Sequence, residues 1–243
     1  MKSFLKKWKL DYHIFKAIIN AFLNLYTGGK RRPAFFNVAA SYPELNQLTQ
    51  NYSAIQAELD RVLQSQVVLP EYHEVDPGER KISAGTTQKW RVFMLYILGH
   101  KPESNRQTCP ETARLLDGIP NLVQAFFSIL EPGKSIPLHE GPYYGYLRYH
   151  LALRVPTDNP PCIIVNSQKH VWKEGEAVLF DDSWPHEVIN RSNDRRIVLI
   201  VDVMRRMPWL PTLVNRFVTE VIGRLTYGKK VAQRVESLTP LFQ

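Results

Sequence analysis

A mainly β fold with helices at both ends is predicted by two features of this sequence. Between residues 123 and 203, short β-branched and aromatic runs alternate with turn signals such as Pro132-Gly133 and Glu174-Gly175. On either side of that region, apolar residues recur at three- and four-residue spacing, which is typical of amphipathic helices. Many short strands separated by turns favour an antiparallel barrel built from two sheets. We therefore expect a double-stranded β-helix, of the jelly-roll or cupin-like kind, with an amphipathic helix at each end.

The composition is that of a globular protein with an affinity for anions. Hydrophobic residues make up 44% and charged residues 22% of the 243-residue chain, so disorder is not the default expectation. Two cysteines, Cys109 and Cys162, are too few for a disulfide framework and fit a reducing cytosol. The net charge of +8 indicates nucleic acid, acidic lipid surfaces or small anions as partners. No nucleic-acid-binding motif is present, so we expect no nucleic-acid partner.

Residues 1–32 combine an apolar stripe with an excess of lysine and arginine. Gly28-Gly29 and Pro33 predict where this helix ends. Polar residues interrupt the stripe too often for a membrane span, and no cleavage site marks a signal peptide. The helix could pack on the domain, or it could lie on an anionic membrane surface. The stripe consists of Ile14, Phe15, Ile18, Ile19, Phe22 and Leu23.

The next part of the chain is predicted to be helical and then to change to strands. We expect a helix over 42–65, a polar loop over 71–85, a buried strand over 90–96 and a short helix over 111–117. The remaining predicted strands are 125–130, 145–153, 162–165, 169–172, 177–180 and 196–203.

The tail of the chain returns to a basic amphipathic helix, with apolar residues at regular spacing from Leu210 to Leu225. The chain is therefore expected to divide into a basic N-terminal helix (1–36), a catalytic domain (37–206) and a basic C-terminal helical extension (207–243). Two basic amphipathic ends on one chain favour contact with a membrane surface. Dimerisation and ordinary packing on the domain remain alternatives.

Two histidines, each followed by an arginine, are the candidate site. His139 precedes Arg148 and His186 precedes Arg196, each pair in or beside a β-rich run. Neutral imidazoles suit a divalent metal such as iron, and guanidinium groups hold carboxylates through two parallel hydrogen bonds. The combination predicts an iron that holds an acidic co-substrate.

Four motifs around these residues carry a family resemblance that extends from about Trp90 to Val203. The sequence resembles the aspartyl/asparaginyl β-hydroxylase family of iron(II)- and 2-oxoglutarate-dependent dioxygenases. The C-P-E-T-A-R-L-L and L-R-Y-H-L-A-L stretches look most similar to the bacterial branch that hydroxylates lipid A acyl chains. The four motifs are H-x-G-P at 139–142, L-R-Y-H-L-A-L at 147–153, W-K-E-G-E-A-V-L-F-D-D-S-W-P-H-E-V at 172–188 and R-I-V-L-I-V-D-V at 196–203.

By this resemblance His139 and His186 are the iron ligands. Many such sites add a carboxylate two residues after the first histidine, but Gly141 stands there, as in the aspartyl/asparaginyl hydroxylases. Glu140 would point to the opposite face of a strand. Water, a halide or a remote carboxylate could take the third position. Three acids crowd the second histidine, and one of them could orient its ring nitrogen: Asp181, Asp182 and Glu187.

The resemblance also implies a pocket for 2-oxoglutarate. Arg196 would hold its distal carboxylate with Ser128 beside it, while Arg148 and His150 would contact the end nearer the iron. Residues 148 and 150 share one face of a strand because side chains alternate. Trp90 matches a tryptophan that lines the family's pocket, although an aromatic in a strand is also typical of a core.

The resemblance implies an iron(II), 2-oxoglutarate and dioxygen-dependent hydroxylase that acts on an unactivated C–H bond. We expect the substrate to be an acyl chain of a membrane lipid, reached by a cytoplasmic protein that is peripheral on the inner face of the membrane. The alternatives are an aspartyl, asparaginyl or free amino-acid side chain, a radical halogenase, and a cupin-like binding module without catalysis.

Overall fold

The computed structural model describes residues 2–65, 67 and 69–238, with side chains from residue 14 onward. Its strands form two antiparallel sheets, one of six strands in the order β1-β8-β5-β10-β3-β2 and one of four in the order β4-β9-β6-β7. This arrangement confirms the double-stranded β-helix. The strands are β1 (Phe35–Phe36), β2 (Trp90–Ile97), β3 (Leu122–Leu130), β4 (Ile136–His139), β5 (Tyr146–Arg154), β6 (Cys162–Val165), β7 (Gln168–Val171), β8 (Ala177–Phe180), β9 (His186–Ile189) and β10 (Arg196–Met204).

Helices precede, flank and follow the sheets. Three single turns of 3-10 helix lie at Gly29–Arg31, Pro43–Leu45 and Pro77–Glu79. Between α9 and α10 the chain forms a π-helix, Phe217–Gly228. The α-helices are α1 (Lys2–Thr27), α2 (Val38–Ser41), α3 (Asn46–Gln50), α4 (Tyr52–Gln64), α5 (Tyr72–Val75), α6 (Arg80–Ser83), α7 (Glu103–Thr108), α8 (Pro110–Asp117), α9 (Trp209–Arg216) and α10 (Lys229–Leu238).

The three central strands of the large sheet are covered on both faces, so their residues are almost all buried. Odd-numbered positions of β3, β5 and β10 pack in a core with residues of α3, α4 and α8. Even-numbered positions of the same strands face a second core that includes residues of the small sheet. Since side chains alternate along a strand, the buried polar residues Ser128, His150 and Arg196, at even positions of these strands, face the small sheet.

The prediction of one helix over 42–65 was wrong. The segment is a 3-10 turn at Pro43–Leu45 followed by α3 and α4, with a break at Asn51. Proline starts the turn because its missing N–H is not needed at a first helical position. The Asn51 side chain donates to the carbonyl of Gln47, which ends α3.

The prediction of a loop over 71–85 was also wrong in part, because this segment contains α5, a 3-10 turn and α6. Glu71 and Glu74 form a reciprocal capping box at the start of α5. The Asp76 side chain accepts from Gly78 N at 2.9 Å and so begins the next turn. Sequence reasoning also missed α7 and the short strands β1, β4 and β9, because so few residues show no clear periodicity.

Residues 2–27 and 209–238 are helical as predicted, and both segments leave apolar side chains exposed. In the predicted N-terminal stripe Leu23 is fully buried, whereas Ile14 and Ile18 are more than half exposed. Among the described residues, no helix is long and apolar enough to cross a membrane. The division of the chain at residues 36 and 206 stays a prediction.

Candidate active site

His139 and His186 lie opposite one another on neighbouring strands of the small sheet. The register of β4 and β9 pairs these two residues directly. Side chains at directly opposed positions of an antiparallel pair project from the same face and touch. The two ring centroids are 4.1 Å apart. The structure therefore brings together the two histidines that are 47 positions apart in the sequence.

A backbone carbonyl fixes the orientation of each imidazole. His139 Nδ1 lies 2.8 Å from the carbonyl oxygen of Pro137, and His186 Nδ1 lies 2.9 Å from that of Trp184. A carbonyl oxygen only accepts, so both Nδ1 atoms carry the proton and both Nε2 atoms keep a free lone pair. The expectation that Asp181, Asp182 or Glu187 orients His186 is corrected here, since the carbonyl of Trp184 does so.

Burial keeps both imidazoles neutral. It lowers the pKa of His139, and together with the neighbouring His139 it lowers the pKa of His186 to about 3. Two neutral imidazoles whose Nε2 lone pairs are available for coordination fit a divalent metal such as iron, zinc, copper or nickel. Within the described part of the chain, no third histidine, cysteine, aspartate or glutamate completes a larger cluster of metal-binding groups.

Asp182 occupies the space beside Gly141. Residue 141 is the position at which many two-histidine metal sites carry a carboxylate. A Cβ at residue 141 would lie 2.6 Å from the carboxyl carbon of Asp182. That carboxylate accepts from Tyr146 Oη at 2.9 Å, and its Oδ1 has no partner among the described residues. Burial raises the pKa of Asp182 to about 7. A side chain at 141 and the carboxylate of Asp182 therefore compete for one place.

Arg196 is a buried cation that pairs with no carboxylate of the described residues. Its side chain is 1% exposed and its Nη1 donates to Ser128 Oγ at 3.4 Å. The guanidinium carbon lies 4.3 Å from the ring centre of Trp172. Burial lowers the pKa of Arg196 to about 9, and no carboxylate of the described residues offsets this. Burial of an unpaired cation destabilises the fold, so the surroundings of Arg196 suit an anion.

His150 and Trp172 add further unpaired polar atoms near Arg196. His150 stacks on Trp172 and lies edge-on to Phe180, with ring centroids 5.8 and 4.9 Å away. Among the described residues, neither ring nitrogen of His150, nor Trp172 Nε1, nor Arg196 Nε has a hydrogen-bond partner. Buried polar atoms are normally satisfied, so this concentration of unpaired atoms fits a polar ligand such as a dicarboxylate. The residues present therefore fit both the metal and the co-substrate.

Arg148 differs from Arg196 because two carboxylates already hold it. Its Nε and Nη2 donate to the two carboxylate oxygens of Asp202, both at 2.8 Å. Its Nη1 lies 3.4 Å from Asp182. The structure places Arg148 and His150 on the same face of β5, as predicted. Contact between Arg148 and a co-substrate stays a prediction.

Sequence reasoning missed several residues that build the site. Asp202 and Tyr146 were detectable, because each lies an even number of residues from a predicted site residue on the same strand. A second group had no local signal: Arg32 Nε and Arg205 Nη2 lie 3.0 and 2.7 Å from Asp181 Oδ2, and the Arg32 guanidinium is 3.7 Å from the ring centre of Trp184. This buried network anchors the turn that leads to His186.

The fold and the site together define a class of protein: a double-stranded β-helix with two neutral histidines beside a buried cationic pocket. The model of the family described as "Aspartyl/Asparaginyl beta-hydroxylase" matches residues 49–206. The chain belongs to this family of hydroxylases.

Two relatives and one solved structure illustrate the similarity. The chain is 39% identical over 194 residues to an ornithine lipid ester-linked acyl 2-hydroxylase of Rhizobium tropici, covering 79% of this chain and 68% of that protein. It is 34% identical over 129 residues to human aspartyl/asparaginyl beta-hydroxylase, covering 51% of this chain but only 16% of that protein. A Pseudomonas putida prolyl-4-hydroxylase structure aligns with a TM-score of 0.44 at 16% identity, over 70% of this chain and all of the other.

Proposed function

We propose that this protein is an iron(II)- and 2-oxoglutarate-dependent dioxygenase that hydroxylates an acyl chain of a membrane lipid. The observation that carries the proposal is the combination of two imidazoles, each with a free Nε2, and the unpaired buried guanidinium of Arg196. Membership in a hydroxylase family supports the type of reaction.

The side chains of this site would divide the work of binding. His139 and His186 would hold the metal through Nε2, because their Nδ1 atoms are committed to carbonyl oxygens. Arg196, with Ser128, would hold a carboxylate of 2-oxoglutarate, and the indole of Trp172 would shield that ion pair from water. His150 would offer a ring nitrogen to the same ligand.

The bound iron(II) and 2-oxoglutarate would supply the oxidation itself. Iron(II) with 2-oxoglutarate and dioxygen converts a C–H bond to C–OH, while 2-oxoglutarate leaves as succinate and carbon dioxide. The protein would contribute orientation and a water-poor space between the sheets, where electrostatic interactions are strong. Asp202 and Asp182 would keep Arg148 in place at the edge of that space.

A lipid substrate is favoured by the extent of the similarity. The alignment with the Rhizobium tropici lipid hydroxylase covers more of the chain than residues 49–206. A lipid substrate requires contact with a bilayer, and the basic terminal helices suit an anionic one. We therefore propose a cytoplasmic protein that is peripheral on the inner face of the membrane.

Hydroxylation of an aspartyl or asparaginyl side chain is the second candidate, because the human relative bears that name. A halogenase is less well supported, since a halide beside Gly141 would meet the carboxylate of Asp182. To separate these functions, we would supply ornithine-lipid vesicles and an aspartate-containing peptide in parallel, with and without chloride. Mass spectrometry of both substrates should find one added oxygen in the acyl chain only; oxygen in the peptide or chlorine in either product contradicts the proposal.

An anaerobic titration with iron(II) and 2-oxoglutarate tests the co-substrate and metal independently of any substrate. We expect a visible charge-transfer band in the wild type that is lost in His186→Ala. The matched control is His100→Ala, since His100 lies at the C-terminal helices, where its Nε2 contacts the Arg224 carbonyl oxygen. Folded wild-type protein without a band contradicts the dioxygenase and leaves the binding module as the better explanation.

A further inference from the structure

The large hydrophobic side chains that the described part of the chain leaves exposed are confined to three places. They lie on α1, at Leu138 and between residues 209 and 227. Scattered exposed apolar residues need no explanation, but a contiguous exposed group usually marks a docking surface. Leu138 is 66% exposed and immediately precedes His139, so this distribution includes the edge of the candidate metal site.

Five of these residues form a row along the C-terminal helices, which we call the C-terminal row. Its members recur every fourth residue and their exposures range from 41% to 78%: Trp209, Leu213, Phe217, Val221 and Leu225. In an α-helix a step of four residues passes slightly beyond a full turn. In the wider turn of a π-helix the same step falls slightly short. Because α9 continues into the π-helix, these two drifts oppose each other and the row stays on one side.

The opposite side of the same helices is fixed to the domain, so the C-terminal row cannot simply rotate inward. Pro211, Asn215 and Thr219 are buried there. Asn215 Nδ2 donates to the Gly145 carbonyl at 2.7 Å, and its Oδ1 accepts from Tyr143 Oη at 2.7 Å. A Cβ at Gly145 would overlap Asn215, so only glycine permits this approach.

The N-terminal helix holds the same segment from another side. Asn20 Nδ2 donates to the Pro142 carbonyl at 3.0 Å, and Tyr144 N donates to Asn20 Oδ1 at 3.2 Å. Helices α1 and α9 also contact each other. Residues 140–145 follow His139 directly, so each terminal helix holds the edge of the candidate site through one asparagine. Their exposed apolar side chains therefore belong to helices that border that edge.

The charges of these helices favour an anionic partner. Exposed basic residues accompany the apolar ones, whereas Glu220 is the only acidic residue between 205 and 230. An amphipathic surface binds anionic lipid through burial of its apolar side chains and through attraction of its basic side chains to the headgroups. Tryptophan favours the interface between the acyl chains and the headgroups. The exposed basic residues of these helices and their flanking turns include Lys30, Arg31, Arg216, Arg224 and Lys229.

We infer that α1, Leu138 and the C-terminal row form one docking face for an anionic phospholipid bilayer, with the opening of the histidine site at its edge. This inference deepens the proposed lipid hydroxylation and rests on it for its biological meaning. On this inference, an acyl chain leaves the bilayer beside residues 138–145 and approaches His139 without crossing open water.

Vesicle partitioning of the full chain tests the face. The vesicles are equal mixtures of dioleoylphosphatidylglycerol and dioleoylphosphatidylcholine, compared with pure dioleoylphosphatidylcholine. We expect the wild type to bind the anionic vesicles, and the triple variant Leu213→Gln/Phe217→Gln/Leu225→Gln to bind them at least about tenfold more weakly, because it loses three large apolar contacts. Glu220→Gln on the same helix is the matched control and should bind as well as the wild type or better.

Two results would overturn the inference. One is equal binding of the wild type and the triple variant. The other is a wild-type dimer in light scattering that the triple variant converts to a monomer, with no vesicle binding by either, because the face would then join two copies of the chain. The exposed positions allow the variant to fold, and its circular dichroism should match that of the wild type.

Labelling locates the site opening relative to the bilayer. Both native cysteines are buried, so an environment-sensitive dye would react with Leu138→Cys alone. Its emission should shift to the blue on anionic vesicles, whereas a dye at Thr157→Cys should not shift, since residue 157 follows the far end of β5, about 25 Å away along the strand. A blue shift of the dye at Thr157→Cys, without a shift of the dye at Leu138→Cys, would refute the proposed orientation of the protein on the bilayer. Vesicle binding without lipid hydroxylation would refute the proposed function while leaving the docking face intact.

Discussion

Two arginines in the space between the sheets have opposite electrostatic surroundings. Arg148 is held by Asp202 in a bidentate pair and has Asp182 close by. Arg196 is fully buried, and no carboxylate of the described residues pairs with it. Both residues project from even positions of the large sheet, so the difference does not come from the face of the sheet on which they lie.

The comparison separates a structural ion pair from a candidate ligand site. A buried cation that is already neutralised gains little from a further anion, whereas an unpaired one gains much. The Arg196 end therefore suits the carboxylate of a co-substrate. At the Arg148 end, the carboxylates of Asp202 and Asp182 make the surroundings less favourable for an anion. This contrast gives the two arginines opposite roles in stability.

The largest expected effect is at Arg148. Arg148→Met should destabilise the protein by about 3–5 kcal/mol, because it leaves the buried carboxylates of Asp202 and Asp182 without their cation. Urea unfolding at neutral pH measures this. Arg148→Met/Asp202→Leu should recover part of the loss, and a double variant no more stable than the single one would argue against the pair.

Arg196→Met should change stability in the opposite direction. Removal of an unpaired buried charge should stabilise the protein without ligands by about 1–4 kcal/mol. The same variant should lose the rise in thermal midpoint that 2-oxoglutarate with anaerobic iron(II) causes in the wild type. Differential scanning fluorimetry reports both changes, and destabilisation equal to that of Arg148→Met would remove the distinction between the two arginines.

Gly141→Ala tests how closely the Arg148 end is packed. The new methyl group would meet the carboxylate of Asp182, so we expect a loss of about 1–3 kcal/mol. In an Asp182→Ala background the same substitution should cost less, because the space is free. Denaturant unfolding of the wild type, the two single variants and the double variant gives the coupling free energy between residues 141 and 182. A coupling free energy of zero would show that Asp182 moves aside.

The pH dependence of stability sharpens the comparison at the histidine pair. Burial holds the pKa of His186 at about 3, below its ordinary value of 6.5, so between these pH values the unfolded chain binds one more proton than the folded one. Stability should therefore fall as the pH is lowered through this window, by up to ~1.4 kcal/mol per pH unit from this residue. Metal-free His186→Gln should have a correspondingly shallower slope in urea unfolding, and an unchanged slope would contradict the shift.

The strand pattern and its alternation were accessible from the sequence, and so was the shared face of Arg148 and His150. The fold class and the family resemblance were confirmed. Helix boundaries were less accessible: the break at Asn51 and the short turns between 71 and 83 depend on side-chain caps, which periodicity does not detect. The assignments of His139, His186, Ser128, Arg148, His150 and Arg196 as site residues remain predictions about function, although the structure places them around one space between the sheets.

The sequence by itself determined which side chains share a face, because alternation along a strand is a local property of the backbone. Only the tertiary structure decided which charges meet. Asp202 lies 54 positions from Arg148 and is brought beside it by the register of β5 and β10. In the part of the chain that the structure describes, no comparable register brings a carboxylate to Arg196. The balance of charge depends on pairing between distant strands, and composition and spacing do not contain that information.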